Sequence, residues 1–297
     1  MKLLNSFIFV LIVVALVAAS GCADKQIAST DTSPITTPVV STASSNLTLH
    51  VIDIGQGDAL LLECGYHNML IDAGEIGKGD DVEKYVRSQG VKSLDYVVAT
   101  HPHADHIGGM SVILNDFPVS HFIGNGEIHT TKTYENMLQT IKNKNIPFKV
   151  VKRGDKIDFS SGIDITVLNP GKDYLTTDPI NQNSVVLRVT DGKVSFLLTG
   201  DAGVQAEEDI MKDDINIQSD VLKVGHHGSR TTTGQAFIDA VKPKISIVSV
   251  GEGNTYGLPD EEPLARLQKV STLYRTDYNG DITITTDGST YTVIKEK

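Results

Sequence analysis

The stretch "LDYVVATHPHADHIGGM", residues 94–110, decides how this chain is interpreted. Its first half is apolar, as in a buried strand, and its second half holds three of the chain's nine histidines and an aspartate within six positions, namely His101, His103, Asp105 and His106. In an extended H-x-H stretch, alternate side chains project to the same side, so the first two histidines can reach one point. The aspartate and third histidine follow a small alanine, where the chain can turn towards a second point. Imidazole with carboxylate suits zinc, manganese or iron better than calcium or magnesium, so we predict a metal-binding loop.

Two other apolar runs end in side chains that can bind metal. "SFLLTGDAG", residues 195–203, places Asp201 where the strand breaks, and "DVLKVGHHGS", residues 220–229, does the same for His226 and His227. Taken singly, a turn aspartate is usually a helix cap and a histidine pair can simply pack in a core. Three strand ends that each present such a group indicate one convergent site instead.

The rest of the chain predicts an α/β fold. From Leu47 onward, short apolar or alternating runs are separated by turn residues, and helical patterns occur near 81–89, 107–115, 131–144, 203–212, 233–241 and 261–270. Strands outnumber helices and often follow one another directly, which indicates two mixed sheets covered by helices rather than a doubly wound parallel sheet. The runs "LYRTD", "DITITTD" and "TYTVIKE" near the end are expected to form an antiparallel set. We expect one domain over residues 47–297.

The N-terminus is predicted to lie outside this domain. Residues 1–22, "MKLLNSFIFVLIVVALVAASGC", have one lysine, a long apolar run and small residues, as in a secretory signal. The small residues before Cys22 resemble a lipobox, although Ala19 stands where leucine is usual, and would make Cys22 the lipidated first residue of a lipoprotein. An uncleaved membrane anchor is the alternative, since the apolar run approaches spanning length. Each option places the rest of the chain outside the cytoplasm. It would be held to the membrane by a lipid or an anchor, or it would be secreted.

Residues 23–46 are rich in Ser, Thr and Pro without periodicity, so we predict a linker. The formal net charge of −11 gives no basic footprint for tight nucleic-acid binding, although bound metal can supply positive charge to a polyanion. The only cysteine besides Cys22 is Cys64, which lies in an apolar run and is expected to be a buried thiol. No pattern points to a protein partner, and we expect a monomer.

Together these motifs resemble the metallo-β-lactamase superfamily. H-x-H-x-D-H after a strand, a T-G-D strand end and then H-H-G-S follow one another in the order that this superfamily has. "HVIDIGQGDALLLE", "MLIDAG", "NSVVLRV", "SVGEGNTYG" and "YRTDYNGDITITTDG" narrow the resemblance to the extracellular metallo-β-lactamase-like domain of ComEC-type DNA-uptake proteins and its stand-alone relatives. The resemblance spans Leu47 to about Lys295. It implies a four-layer αββα sandwich with the site at one edge of both sheets.

The resemblance also implies a ligand set for one or two divalent ions, with zinc expected and manganese as the alternative. His101 and His103 would bind the first ion, Asp105 and His106 the second, and Asp201 would bridge them. One of His226 and His227 would be a further ligand, with His227 slightly preferred. The carboxylates of Asp105 and Asp201 would also orient the attacking water.

Other motif residues are expected to support the ligands. Asp72 in "LIDAG" would orient the ligand loop by hydrogen bonds. Asn183 and Ser184 occupy the region where many superfamily members have a third histidine, and we expect them beside the ligands. In "DIGQGD" the turn residues are expected to shape an adjacent turn; they are Asp53, Gly55, Gly57 and Asp58.

One departure from the family pattern leaves two functions open. ComEC-like members commonly read Y-G-H-P where this chain has "YGLP", so Leu258 replaces a plausible ligand. The first hypothesis is a metal-dependent hydrolase of phosphodiesters, DNA or another phosphoester, since a bound divalent ion lowers the pKa of its water from about 15.7 towards 7 and so supplies hydroxide. The second is a non-catalytic binding module with a degraded metal site. Hydrolysis of another ester or amide, such as a phosphocholine ester or a lactam, is a further alternative.

Overall fold

The computed structural model of the protein describes residues 46–297. The predicted signal and Cys22 lie outside the described residues, as does all of the predicted linker except Asn46, so the expectations for them stay predictions. Within the described part, no helix is long and apolar enough to cross a membrane.

The secondary structure alternates between strands and short helices. The strands are β1 Leu47–Val51, β2 Leu60–Cys64, β3 His67–Ile71, β4 Leu94–Ala99, β5 Val119–Gly124, β6 Phe148–Val150, β7 Lys156–Ile157, β8 Ile163–Asn169, β9 Val186–Asp191, β10 Val194–Leu198, β11 Val221–Lys223, β12 Ile245–Val248, β13 Thr272–Arg275, β14 Ile282–Thr286 and β15 Tyr291–Lys295. The helices are α1 Gly79–Ser88, α2 Ala104–Ile107, α3 Met110–Asp116, α4 Lys132–Asn143, α5 Pro179–Gln182, α6 Val204–Lys212, α7 Gln235–Val241, α8 Glu261–Leu267 and α9 Thr276–Asn279, and a 3₁₀ turn covers Gly225–Gly228.

The strands form two mixed sheets. The first has the order β15-β14-β1-β2-β3-β4-β5-β6, and the second has the order β13-β12-β11-β10-β9-β8-β7. In the first sheet β3 to β6 run parallel, and in the second β10 to β13 do. The other neighbours in both sheets are antiparallel.

Three apolar clusters show that the sheets are stacked between helices. One cluster lies between the two sheets and takes alternate residues of their strands, such as Leu47 and Leu49 of β1 and Phe196 of β10. A second lies between the first sheet and α1, α3 and α4, and a third between the second sheet and α6, α7 and α8. Cys64 is buried in the cluster between the sheets, as expected. The predicted four-layer αββα sandwich is confirmed.

This arrangement brings distant loops to one edge. The carboxyl ends of parallel strands meet at the same edge of a sheet, and ligands bind there in α/β proteins. The histidine-rich loop follows β4 in the first sheet, while Asp201 and the His226–His227 turn follow β10 and β11 in the second. Since the sheets are stacked, the loops from both face one another.

One expectation about the C-terminal strands is wrong. The stretch "LYRTD" was expected in an antiparallel set with the last two strands, but β13 runs parallel to β12 at the edge of the second sheet. The helix α8 separates β12 from β13, and a crossover of this kind returns the chain in the same direction. Only β14 and β15 form the antiparallel pair, and they extend the first sheet beside β1.

Candidate metal centre

The first group of candidate ligands joins the two sheets. His101 and His103 from the loop after β4 meet Asp201 from the loop after β10, and one atom of each lies within 4.8 Å of the others. The Nε2 atom of His101 is 3.1 Å from Nδ1 of His103 and 3.7 Å from Oδ2 of Asp201. The side chains of His101 and Asp201 are almost fully buried, whereas His103 is only partly buried.

The second group shares Asp201 with the first. Asp105, His106, Asp201 and His227 also place one atom each within 4.8 Å of one another. The Nε2 atom of His106 is 3.3 Å from Oδ1 of Asp201, and Nε2 of His227 is 3.2 Å from Oδ2 of Asp105. The two oxygens of the Asp201 carboxylate therefore face different groups, Oδ1 the second and Oδ2 the first.

The spacing and the hydrogen bonding of these atoms fit metal binding. Two nitrogens held at ~2.1 Å by one tetrahedral zinc ion are about 3.4 Å apart. The shortest separations within the groups are 3.1–3.3 Å, and the next are 3.7–3.9 Å. The Nε2 atom of His106 and Oδ1 of Asp201 are buried without a hydrogen-bond partner. Buried polar atoms normally have a partner, so the two groups are able to bind metal ions.

Neighbouring groups fix the direction of the imidazole rings. The Nδ1 atom of His106 lies 2.7 Å from Oδ2 of Asp72, and Nδ1 of His227 lies 3.0 Å from the carbonyl oxygen of Ser249. Asp72 also accepts hydrogen bonds from the backbone N–H and the hydroxyl of Thr100, at 2.8 and 2.7 Å. Such contacts at Nδ1 point Nε2 towards the centre, as in metal-binding histidines. Asp72 thus links Thr100 to the ring of His106.

Burial and opposite charges set the pKa values of the centre. Burial disfavours ionisation of Asp201, but His106 and His227 outweigh it and hold the pKa of Asp201 well below its usual value. Burial also opposes the charged form of His106, yet Asp201 and Asp72 raise its pKa well above the usual value. For His101, burial and the adjacent His106 both lower the pKa. Asp201 is therefore an anion, ready to bind a cation.

The turn after β11 decides between its two histidines. Both have left-handed backbone conformations, with φ of 46° at His226 and 52° at His227, which bulky residues adopt only under constraint. His227 is buried and belongs to the second group. The His226 side chain is 29% exposed, and its Nε2 lies 3.8 Å from Oδ2 of Asp201. The structure brings His227 into the candidate ligand set and places His226 at its rim.

Two glycines allow the close packing of the histidine-rich loop. Gly57 has a φ of +113°, and a Cβ atom there would lie 2.0 Å from the carbonyl oxygen of Asp105. A Cβ atom on Gly109 would lie 2.2 Å from the carbonyl oxygen of Ala73. Both obstacles are backbone atoms, which cannot rotate away. The "GQGD" turn and the glycine pair after His106 therefore let the loop pack closely against its neighbours.

A buried ion pair lies beneath the centre. The ammonium of Lys223 is fully buried and is 2.8 Å from Oδ2 of Asp58 and 3.0 Å from the carbonyl oxygen of Val224. Asp58 comes from the first sheet and Lys223 from β11 in the second, so the pair ties the two halves of the centre together. Oδ1 of Asp58 is 3.7 Å from Nδ1 of His227. An ammonium paired in this way holds the Asp58 carboxylate beside the ring of a candidate ligand.

The centre opens into a cleft of about 570 Å³. Its floor includes His103, Asp105 and Asp201, and its other lining residues are Gln56, Glu75, Ile76, Ala104, His129, Thr131, His226, His227, Tyr256 and Leu258. Leu258 thus lies in the site region where the family pattern predicts a ligand. Within the described part of the chain, no lysine or arginine lines this cleft.

The remaining predicted residues have different places. The hydroxyl oxygen of Ser184 accepts a hydrogen bond of 3.3 Å from the backbone N–H of Asp201, so it supports a candidate ligand. The side-chain amide of Asn183 bonds to Glu127 and to the backbone of Leu175, and not to a candidate ligand. Its role is to hold the loop before α5 rather than a ligand.

Sequence reasoning missed several residues of the centre. A lysine within the apolar run "DVLKVG" was a usable indication, since a charge inside a buried strand needs a partner, and Lys223 has one in Asp58. His129 lines the cleft, but no local pattern marks it. Tyr256 also lines the cleft; it stands in the "YGLP" stretch, which was considered only for Leu258.

Comparison with known families agrees with this geometry. The family model described as the metallo-beta-lactamase superfamily matches residues 50–252, which include both candidate ligand groups. The chain belongs to this superfamily.

Within the metallo-beta-lactamase superfamily, the chain is similar to competence proteins. It is 34% identical to ComE operon protein 3 of Bacillus subtilis over 80% of this chain and 33% of that protein. It is 29% identical to Recombination protein 2 of Haemophilus influenzae over 78% of this chain and 28% of that protein. The chain therefore spans about a third of the length of these curated relatives. The resemblance to a ComEC-type metallo-β-lactamase-like domain is confirmed.

A solved structure supports the fold. The crystal structure of the metallo-beta-lactamase fold protein YhfI from Bacillus subtilis has a TM-score of 0.52 with this chain and covers 82% of it, and the chain covers 100% of that protein. The two sequences are only 14% identical, so the likeness concerns the fold alone.

Proposed function

We propose that this protein is a metal-dependent hydrolase of phosphodiester bonds. The observation that carries the proposal is the position of Asp201, whose carboxylate belongs to two groups of candidate ligands at once. A carboxylate that bridges two ions is what a two-metal centre requires. Bound divalent ions would supply a water of lowered pKa and neutralise charge on phosphoryl oxygens, in DNA or in a smaller phosphoester.

The residues of the chain have separate tasks in this proposal. His101, His103 and Asp201 would hold one ion, and Asp105, His106, Asp201 and His227 the other. The Asp105 side chain is 24% exposed, so its carboxylate can also accept a hydrogen bond from a water in the cleft and orient it. His226 and His129 line the cleft outside both groups, where an imidazole can contact the substrate.

The cleft favours a substrate that needs few cationic contacts. Proteins that follow a nucleic-acid backbone over many nucleotides contact it through lysine and arginine. No such side chain lines this cleft among residues 46–297, whereas Ile76 and Tyr256 lie at its rim with 65% and 66% exposure. The lining therefore supports cleavage of a short segment or a small diester more than processive degradation.

Leu258 is the one observation in favour of a second function, a binding module without catalysis. It lines the cleft but belongs to neither ligand group. Three protein ligands with an open position are typical of catalytic zinc sites. The two groups have three and four members without position 258, so the hydrolase remains the better supported of the two functions. The variant Leu258→His tests this view: an increase in metal affinity would identify position 258 as a vacant ligand place.

The direct experiment is a metal-dependence assay with the purified protein. We expect cleavage of bis(p-nitrophenyl) phosphate, of a thymidine dinucleotide and of single-stranded DNA after loading with zinc or manganese. The variant Asp105→Ala must abolish turnover, since otherwise the activity belongs to a contaminant. A protein that binds metal and cleaves none of these substrates would support the binding module, and one that binds no metal would exclude the hydrolase.

We further propose that the enzyme works outside the cytoplasm, attached to the membrane through Cys22. The support is the pattern of residues 1–22 together with the similarity to competence proteins. Mass spectrometry of the protein from its native membrane would identify a lipid on Cys22, an uncleaved N-terminus or a conventional cleavage.

A further inference from the structure

A second cleft lies at the opposite edge of the second sheet. It has a volume of about 350 Å³ and four basic side chains line it: Arg188, Lys193, Lys242 and Lys244. We call it the basic cleft. Lys193 stands just before β10, and Lys242 and Lys244 just before β12, so the basic cleft lies where these parallel strands begin. The metal centre lies beyond the opposite ends of strands in the same sheet. A five-residue strand spans about 16 Å, so roughly the length of a strand separates the two sites.

The arginine of the basic cleft differs from the others in the chain. The guanidinium groups of the other five arginines each lie 2.5–2.7 Å from a carboxylate oxygen. Arg188 is half-buried, and its recorded partners are the carbonyl oxygen of Gln218 and the hydroxyl of Thr190. A guanidinium withdrawn from water without an ion pair retains charge that a bound anion can neutralise.

The basic cleft is positively charged, although the whole protein is negatively charged. The chain carries a net charge of −11, yet four cations line this cleft against one carboxylate, that of Asp220. Asp220 is 2.8 Å from the ammonium of Lys244. Within residues 46–297, Lys193 and Lys242 have exposed side chains with no ion pair. Lys193 and Lys242 thus place two unpaired positive charges beside one concave surface, next to Arg188, whose charge is partly offset by the nearby carboxylates of Asp164 and Asp220.

The shape and lining of the basic cleft indicate the kind of anion. Asn216 and Gln218 line it beside the basic groups, and their side-chain amides can donate hydrogen bonds to oxygen atoms. None of the strongly exposed large apolar side chains of the described residues lines it, although a surface that docks on a lipid bilayer normally inserts such groups. We propose that the basic cleft binds phosphate groups of a phosphodiester chain, at a site separate from the metal centre. It would supply the cationic contacts that the metal cleft lacks.

The test is a binding titration that does not depend on cleavage. A fluorescein-labelled phosphorothioate oligothymidylate, which resists hydrolysis, is titrated with the metal-loaded protein at several salt concentrations. The double variant Lys193→Gln/Lys242→Gln should bind roughly tenfold more weakly at about 0.1 M salt. The slope of log K against log salt should fall by roughly 0.7 for each lost contact.

A matched control separates this site from the effect of overall charge. Lys92→Gln/Lys269→Gln removes the same charge from two exposed lysines outside both clefts and should bind like the wild type. Equal weakening in both double variants, or no binding by the wild type, would overturn the proposal. So would unchanged oligonucleotide binding with reduced binding to phosphatidylglycerol vesicles, since the cleft would then contact a membrane.

Two control measurements establish that the double variant is folded and that its metal centre is intact. Thermal unfolding at the wild-type temperature would show that the double variant is folded. Its cleavage of bis(p-nitrophenyl) phosphate should equal that of the wild type, because the substituted lysines lie at the opposite edge from the metal groups. Binding that depends on the basic cleft would stand even if the protein cleaved no diester.

Discussion

At the scale of single residues, Asp201 is the central residue of the candidate metal centre. It is buried, its pKa is held well below the usual value against the effect of burial, and one oxygen of its carboxylate is buried without a hydrogen-bond partner. The burial of a charged carboxylate with an unpartnered oxygen would be costly unless a cation completed the site. The histidines on either side of Asp201 supply further ligands for such a cation.

The turn after β11 gives a residue-scale prediction. His227→Asn should lose metal from the second group, whereas His226→Asn should keep the metal content of the wild type, as measured by inductively coupled plasma mass spectrometry. Only His227 belongs to a ligand group, and asparagine tolerates the left-handed conformation that both positions have. Each variant is the control for the other. Metal loss in His226→Asn alone would reverse the assignment.

Most of the candidate ligands could be predicted from the sequence, because each directly follows an apolar run. The choice between His226 and His227 could not, because it depends on the φ angles of one turn. The positions of Asn183 and Leu258 in the structure could not be predicted either, because they depend on loops whose conformation no local sequence pattern determines. Asn183 bonds to Glu127, 56 positions away, and not to a ligand.

At the scale of elements, the loop after β4 depends on the turn before β2. The variant Gly57→Ala should lower the free energy of unfolding by about 2–4 kcal/mol and weaken metal binding. The added Cβ would lie 2.0 Å from the carbonyl oxygen of Asp105, which also accepts the backbone N–H of Asp58 at 3.2 Å. Chemical denaturation and metal titration would measure the two effects.

Gly162→Ala is the control for this prediction. Its φ of +87° is also positive, but a Cβ atom there would have no neighbour within 4 Å. It should cost only about 1 kcal/mol and leave metal binding unchanged. Equal effects of the two substitutions would show that the conformation of the glycine matters, and not its contact with the metal loop.

The start of α7 gives a prediction about pH. Glu207 of α6 accepts the backbone N–H groups of Thr233 and Gly234, and burial raises its pKa from 4.5 to about 7. Between these values the folded protein binds this proton more tightly than the unfolded chain does. Stability should therefore fall as the pH rises from about 4.5 to about 7, by up to about 3 kcal/mol.

Glu207→Gln should remove this contribution, because an amide does not ionise. We expect its urea-unfolding free energy, relative to wild type, to increase between about pH 5 and pH 8. The substitution also weakens one backbone hydrogen bond, but that loss does not depend on pH. Glu208→Gln changes an exposed neighbour and keeps the ionisable Glu207, so its stability should still fall between these pH values. Parallel pH profiles for wild type and Glu207→Gln would contradict the prediction.

Element by element, hydrophobic periodicity predicted the longer strands and helices well. The two-residue β7 and the four-residue α5 are too short to have a period, and they were missed. The placement of β13 was wrong because neighbouring strands in a sequence need not be neighbours in a sheet. The Lys223–Asp58 pair joins positions 165 apart, and only the stacking of two sheets brings them together.

At the scale of the whole molecule, charge should govern how the enzyme meets its substrate. We expect kcat/KM for bis(p-nitrophenyl) phosphate not to fall as salt is raised from about 0.05 to about 0.5 M. No lysine or arginine of the described residues lines the metal cleft, and a net charge of −11 repels an anion until salt screens it. A steep fall, with a log–log slope near −1 or beyond, would show that basic groups bind this substrate.

The central claim is that one carboxylate, that of Asp201, joins two metal ions between the two sheets. The most direct measurement is anomalous diffraction at the zinc absorption edge from crystals of the zinc-loaded protein. The account predicts two peaks roughly 3.5–4 Å apart, one beside His101 and His103 and the other beside His106 and His227, with Asp201 touching both. A single peak, or two peaks of which only one contacts Asp201, would contradict it.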